Sequence, residues 1–501
     1  MSDSDTPRGV VFPSDPATGR RSTTVVGRAV VADALRAHDP VGAASAERET
    51  SWRQGYLPHF RRLVEAGLVS DAAAVGIARD GLASLHARMR WAGAGGDVPL
   101  PDAFGAGGVD GAGGAERPAT PLGSETLRGE GEAERALSLP YGGERLAADA
   151  LRRRLDAWVE AGTVEPSCAE AVGRVLDHPE WLDLRDHTVV VLGAAAEMGP
   201  LRSLLRWGAN VAAVDLPRND LWDRLIGDTR RLAGTMTVPV RVGDGPLAAR
   251  AGGDLVHDLA AVTEWVAGLE APERLVVGNY VYADGATNVR VSTAVDALTE
   301  RVVAERGREA VALAFLATPT DVFAVPAEAV ERSVRSYAER RTSRLLRVPL
   351  RTVSGGRLLR RNYVPGQDPG INDSVVLQQG PNYLLAKRLQ RWRATAHRAG
   401  GGLVSFKVAP PTRTRSVVKN RALAAAYAGA HRFGIEVFEP GTANTLMAAL
   451  LVHDLRTGSP SQGHPWQDEA YAAAHGGLWT SAYDPRSALG IAALLGFASA
   501  R

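Results

Sequence analysis

Apolar residues change their spacing along this chain. In FRRLVEAGLVSDAAAVGIARDGLASLHARMRW they recur every three or four positions, the period of a helix with one buried face, and Gly67 reads as a helix stop. Helical spacing covers Val25 to about Trp91 and returns over 143–182. There LDAWVEAGTVEPSCAEAVGRVL echoes the first block, with Val-Glu-Ala-Gly at 64–67 and again at 159–162. A duplicated helical hairpin is one reading of the echo, and shared Ala-rich composition is the other. From residue 187 short apolar runs alternate with amphipathic stretches: HTVVVLG, NVAAVD, ERLVVGN, AVALAFLA and LVSFKVAP, with helices between them. This alternation predicts an α/β fold, a parallel sheet covered on both faces, preceded by a mainly α-helical region.

The organisation that follows is a flexible tail over 1–24 and a mainly helical region over 25–182. A Gly/Pro-rich stretch at 92–132 reads as a disordered linker or long surface loop. The α/β domain spans 183–454 and carries an insertion at 322–372, and a tail over 455–501 packs on the core or on a partner subunit. In the insertion, the helix PAEAVERSVRSYAERR precedes two extended runs around a Gly355-Gly356 turn.

With 501 residues, the chain is expected to hold more than one domain. Its net charge of +2 gives no global field for nucleic acid or an acidic membrane. One cysteine, Cys168, excludes an intramolecular disulfide and a thiolate metal cluster, and the tail's His464 and His475 lack metal-ligand spacing. The polar start lacks the apolar run of a signal peptide, and no stretch reaches the roughly 18 apolar residues of a membrane span. The expectation is a cytoplasmic protein.

The densest chemical signal is VVVLGAAAEMGPLRSLLRWG, a buried strand that turns directly into a helix, with Pro200 suited to the first turn. Small residues at such a turn let backbone approach a pyrophosphate. Downstream, GPNYLLAKRLQRW places Tyr383 and Lys387 four residues apart on one helix face. LVSFKVAPPTRT then ends a buried strand in Pro410, Pro411, Thr412 and Thr414.

In this order the segments resemble the short-chain dehydrogenase/reductase family. Gly193 and Gly199 match the first and last glycines of its turn, and Met198 takes the aliphatic place, while Glu197 stands for the middle glycine. The resemblance implies a Rossmann-type doubly wound parallel sheet that binds NAD or NADP. Asp215, 22 residues after Gly193, would accept the adenosine ribose hydroxyls and favour NAD, whereas Arg218 could pair with a 2′-phosphate. Asp254 and Leu255 fall at the adenine, Asn279 matches the asparagine that ends a strand, and Pro410 with Thr412 falls where the family covers the nicotinamide.

Tyr383 would be the acid/base and Lys387 the ribose anchor and pKa modifier. The family's serine has three candidate stand-ins, Thr318, Thr320 and Ser374, and Asn288 comes too early to match the family's helix asparagine. The implied activity interconverts a secondary alcohol and a ketone. The alternative is a catalytically inactive dinucleotide-binding or scaffold protein, favoured by Glu197, the missing asparagine and the displaced serine.

Arg332, Arg335, Arg340, Arg341, Arg344, Arg347, Arg351, Arg357, Arg360 and Arg361 make the insertion strongly basic. It reads either as a solvated arm or contact within a homo-oligomer, or as a lid or docking face for an anionic group such as a coenzyme A phosphate or an acyl-carrier phosphopantetheine, with nucleic acid a poorer third because the rest of the chain supplies no basic field. The tail, with His464, Trp466, His475, Trp479 and Tyr483, packs on core or partner, or covers the pocket of a small carbonyl or alcohol substrate.

Overall fold

The computed structural model describes residues 8–93, 95–104, 121–339 and 348–499. Seven strands build its central sheet: β1 (Gly123–Arg128), β2 (His187–Leu192), β3 (Asn210–Val214), β4 (Thr235–Val240), β5 (Arg274–Asn279), β6 (Val311–Ala317) and β7 (Val404–Val408). Their spatial order is β7-β6-β5-β2-β3-β4-β1. All neighbours run parallel except β1, which is antiparallel to β4.

Successive side chains of a strand face opposite sides, so an unbroken apolar strand must be covered twice. Val190, Leu192, Val277, Leu313 and Phe315 enter one core, while Val189, Val191, Val276, Ala312 and Ala314 enter the other. Helices Leu259–Ala267, Gly285–Arg306 and Gly380–Ala399 supply the first core, with the amino-terminal helices Thr23–Arg36, Trp52–Gly67 and Asp71–Arg88 packed among them. The second core is supplied by Leu201–Arg206, Asn219–Arg230, Pro440–Thr457 and the pair Ala148–Ala161 and Pro166–Asp177. The two Val-Glu-Ala-Gly segments thus end the first helix of two helix pairs, one in each core.

Several expectations need correction. Residues 9–11 are no tail: Gly9–Val11 is a strand antiparallel to Arg90–Gly93, with Val10 fully buried. Within 92–132, Gly96–Pro99 completes that small sheet and β1 joins the central one, so the α/β body draws on residues well before 183. Residues 105–120 of that stretch lie outside the described residues.

In the insertion, residues 348–353 are helical where extended chain was expected, and the left-handed Gly355 and Gly356 (φ 59° and 80°) end that turn. Val322–Val325 instead pairs with Gly370–Asp373. Arg340, Arg341, Arg344 and Arg347 lie outside the described residues. Of the others, Arg335 pairs with Glu331, Arg360 with Asp484, Arg351 donates to the Tyr337 hydroxyl, and Arg361 covers the Tyr337 ring. The tail from Ala472 to Tyr483 is buried irregular chain against the body, and helix Pro485–Ser499 follows it. No helix among the described residues is long and apolar enough to cross a membrane.

Helix Gly380–Ala399, hereafter the Tyr383 helix, is tied to its neighbours by buried charge. Arg393 forks onto Asp296 of helix Gly285–Arg306 at 2.7 Å through two nitrogens, and His86 of helix Asp71–Arg88 reaches the same carboxylate at 2.7 Å. Burial opposes ionisation of Asp296, but Arg393 and His86 outweigh it and hold its pKa below the usual carboxylate range. Removing one partner of a buried pair leaves an uncompensated charge. Asp296→Ala is therefore expected to lower stability by about 3–5 kcal/mol, read as a lower urea midpoint at unchanged slope. An unmoved midpoint would mean the network carries no weight.

Candidate functional site

The chain leaves β2 towards β3 and β4 on one side, then returns to β5 and β6 on the other. Such a reversal opens a crevice at the carboxyl ends of the strands. Five sequence-selected segments converge on this edge. Asn279 ends β5, and the others follow β2 (Gly193), β3 (Asp215), β6 (Thr318) and β7 (Pro410 and Thr412).

Gly193 turns the chain out of β2 with φ of 84°, and its N–H bonds the Val214 carbonyl at 2.9 Å. A Cβ there would stand 3.0 Å from the backbone of Tyr280 and Val281, so the turn passes hard against the exit of β5. One carboxylate oxygen of Asp215 accepts the Ala195 N–H and the other accepts the Leu216 N–H, both at 2.8 Å. Burial raises the Asp215 pKa, and these two amides draw it back. Asp215 thus clips the turn to β3, with lone pairs left to accept further hydroxyls.

Glu197 looked hostile to a phosphate in sequence. Its carboxylate accepts the Arg415 N–H at 2.8 Å and pairs with the Arg415 guanidinium at 3.3 Å, and its backbone carbonyl accepts the Asn444 amide at 3.1 Å. A cation 218 residues away in sequence answers the charge. Gly199 and Met198 complete the turn, Met198 packing on the second core.

Gly253 donates its N–H to the Asp215 carbonyl at 3.0 Å, which sets the 253–255 segment beside the turn. Asp254 caps its own loop, accepting the Val256 N–H at 2.8 Å and meeting the His257 ring at 2.7 Å, and Leu255 is core. Arg218 pairs in the open with Asp220 at 2.6 Å. Thr412 is buried and donates to the Pro410 carbonyl at 2.8 Å.

On the other side of the crevice, burial pushes the Tyr383 phenol up to about 12, Thr318 beside it draws it back, and the nearby Asp321 charge raises it further. Tyr282 covers the Tyr383 ring edge-on at 6.2 Å between centroids. Burial brings the Lys387 ammonium down to about 8 against the pull of Asp321. Its two hydrogen bonds run to the Leu316 carbonyl at 3.4 Å and the Gln390 side-chain oxygen at 3.2 Å.

The three hydroxyl candidates separate. Thr318 lies by the phenol, and Thr320 stands behind it, 2.8 Å from Thr318 and holding the Gln379 amide at 2.9 Å. Ser374 is engaged locally: its N–H bonds the Asp321 carbonyl at 3.2 Å and its hydroxyl donates to Asn372, two residues before it. Asn288 accepts the Ala283 N–H at 3.3 Å and has its own buried amide nitrogen unpartnered among the described residues.

Two side chains escaped the sequence reading. Asp321 is buried, and it accepts Arg388 at 3.2 Å and Arg391 at 2.9 Å. Gln390 lies three residues after Lys387, on the same face. The signal for both was spacing, since Arg388 and Arg391 call for a carboxylate once their helix is buried. A cavity of about 270 Å³ lies at the far end of the Tyr383 helix, among Asp71, Arg398, Phe406 and Asp468. It shares no residue with the Tyr383 cluster.

No family model matches the chain, and no curated protein matches it in sequence.

The close crossing at Gly193 predicts an ordering. Gly193→Ala meets backbone, whereas Gly285→Ala, at φ of 58°, enters open space. Left-handed strain costs each about 1–2 kcal/mol, so Gly193→Ala should lose clearly more in thermal unfolding. Equal losses would refute the crossing.

Proposed function

We propose that the chain is an NAD(P)-dependent oxidoreductase of short-chain dehydrogenase/reductase type, interconverting a secondary alcohol and a ketone on a Rossmann-type sheet. The observation that carries this reading is the convergence of Tyr383, Lys387 and Thr318 with the Gly193 turn and Asp215 at one reversal of strand order. The strand order and the left-handed Gly193 suit a dinucleotide, and Asp215 suits its adenosine ribose.

When bound, the nicotinamide supplies or takes the hydride. Tyr383, protonated at neutral pH, donates a proton to the carbonyl oxygen during reduction, and Thr318 polarises that oxygen. Lys387 offers its ammonium to the nicotinamide ribose. Pro410 and Thr412 would lie over the nicotinamide, and Tyr282 covers the phenol ring edge-on.

A second reading, dinucleotide binding without turnover, is favoured by two observations. The ammonium is engaged by Leu316 and Gln390, and the phenol stands at about 12.

Binding and turnover are tested separately. NADH and NADPH titrations of the wild type should show saturable binding, with NADH preferred and weakened about tenfold by Asp215→Ala. Binding of neither nucleotide would end the oxidoreductase reading. Tyr383→Phe should leave NADH affinity in place and cut carbonyl reduction by about 10²–10⁴-fold. Nucleotide binding with no reduction across a carbonyl panel would favour the second reading.

The pH dependence has a fixed sign. Lys387 is lowered from 10.5 to about 8 by burial, so its charge is present below about 8 and lost above it. Tyr383 stays protonated through that window. The kcat/KM for reduction should be level near neutrality and fall as pH rises through about 8. A profile rising through 8 would contradict the assigned roles.

A further inference from the structure

Lysine is scarce here. Among 58 basic residues only Lys387, Lys407 and Lys419 are lysines, and arginine fills every other position. Lys419 is exposed and Lys407 is locked onto the buried Asp454 at 3.0 Å. Lys387 alone sits by the phenol at the crevice. An ammonium is a compact, titratable point charge, unlike a guanidinium, and its placement depends on the acceptors around it.

We infer that Gln390 is a positioning residue, holding the Lys387 ammonium at the crevice through an amide that Asn279 orients. The inference rests on the oxidoreductase reading for what Lys387 does, and on geometry alone for how it is held. An ammonium can only donate, so the Gln390 end facing it at 3.2 Å is the carbonyl oxygen. The amide nitrogen then faces Asn279, whose side-chain oxygen lies 3.4 Å away and also accepts the Val281 N–H at 3.4 Å. Both amides are 4% exposed, so their hydrogen bonds must be met inside the protein. Val281 is part of the backbone against which the Gly193 turn is packed. One chain of contacts therefore runs from that turn through Asn279 and Gln390 to Lys387, whose other acceptor is the Leu316 carbonyl of β6. The charged group acting on Lys387 from outside its helix is Asp321, itself engaged by Arg388 and Arg391.

The lysine count makes a direct test practicable. The full chain labelled with ¹³C at lysine Cε has three lysine signals to resolve, and Lys387 is assigned by its disappearance in Lys387→Arg. Titrated by NMR without nucleotide, wild-type Lys387 should pass its midpoint near 8. Gln390→Met removes the acceptor and should move the midpoint about one pH unit lower, while Gln390→Glu keeps an acceptor, adds charge and should move it about one unit higher. Opposite displacements by two side chains of similar size are not the result of loosened packing. Midpoints that stay at the wild-type value, or move in the same direction in both variants, would overturn the positioning role.

If Gln390→Met does not fold, Gln390→Glu decides by whether its midpoint rises. An NADH titration of the same samples separates this inference from the function. Opposite displacements without NADH binding would leave Gln390 as the lysine's positioner and remove the oxidoreductase reading. Binding with unmoved midpoints would do the reverse.

Discussion

The Tyr383 helix is held by two buried carboxylates, Asp321 and Asp296. Asp321, on the loop leaving β6, takes Arg388 and Arg391, and Arg391 also forks onto Glu469. One turn of helix is thereby fixed against the loop that carries Thr318 and Thr320. Asp296 takes Arg393 and His86 and fixes the next stretch against an amino-terminal helix. Buried ion pairs add little net stability over well-packed apolar side chains, yet they fail badly when mismatched. Their effect here is register: a Tyr383 helix slid by one residue would leave Asp321 and Asp296 facing the wrong side chains. Everything proposed for Tyr383, Lys387 and Gln390 depends on that register.

This placement also explains why the amino-terminal helices are not an appendage. Leu385, Leu389 and Trp392 of the Tyr383 helix share a core with Val31, Leu35, Phe60 and Leu82. Gly81 passes so close to Trp392 that a Cβ would stand 2.3 Å from its ring. Helices read from periodicity as a separate region are thus part of the wall behind the crevice.

Five of the six parallel strands were legible because β2, β3, β5, β6 and β7 are largely apolar runs, each a local signal, whereas β4, TMTVPV, was not read as a strand. The Gly193 turn and the Tyr383–Lys387 spacing were legible for the same reason. What escaped was decided by distant partners. β1, GSETLR, has no apolar run and becomes a strand only by pairing with β4, more than a hundred residues later. Thr318, Thr320 and Ser374 were equivalent in sequence until the pairing of Val322–Val325 with Gly370–Asp373 set the Ser374 backbone on the Asp321 carbonyl, with its hydroxyl taken by Asn372. Glu197 read as a defect until Arg415 met it.

β1 has a meaning beyond the crevice. An unfinished parallel sheet offers a row of free amides and carbonyls to any extended chain, and this is the route by which sheets grow into fibres. Here the outermost position belongs to a short, largely exposed strand running against the others, with Glu125 paired to Arg250 and Thr126 bonded to Thr237. A neighbouring chain arriving at that border meets charge and hydroxyls in place of a bare apolar ladder. The modest segment that reads as linker serves as a selvedge, closing the sheet on the side where it would otherwise recruit.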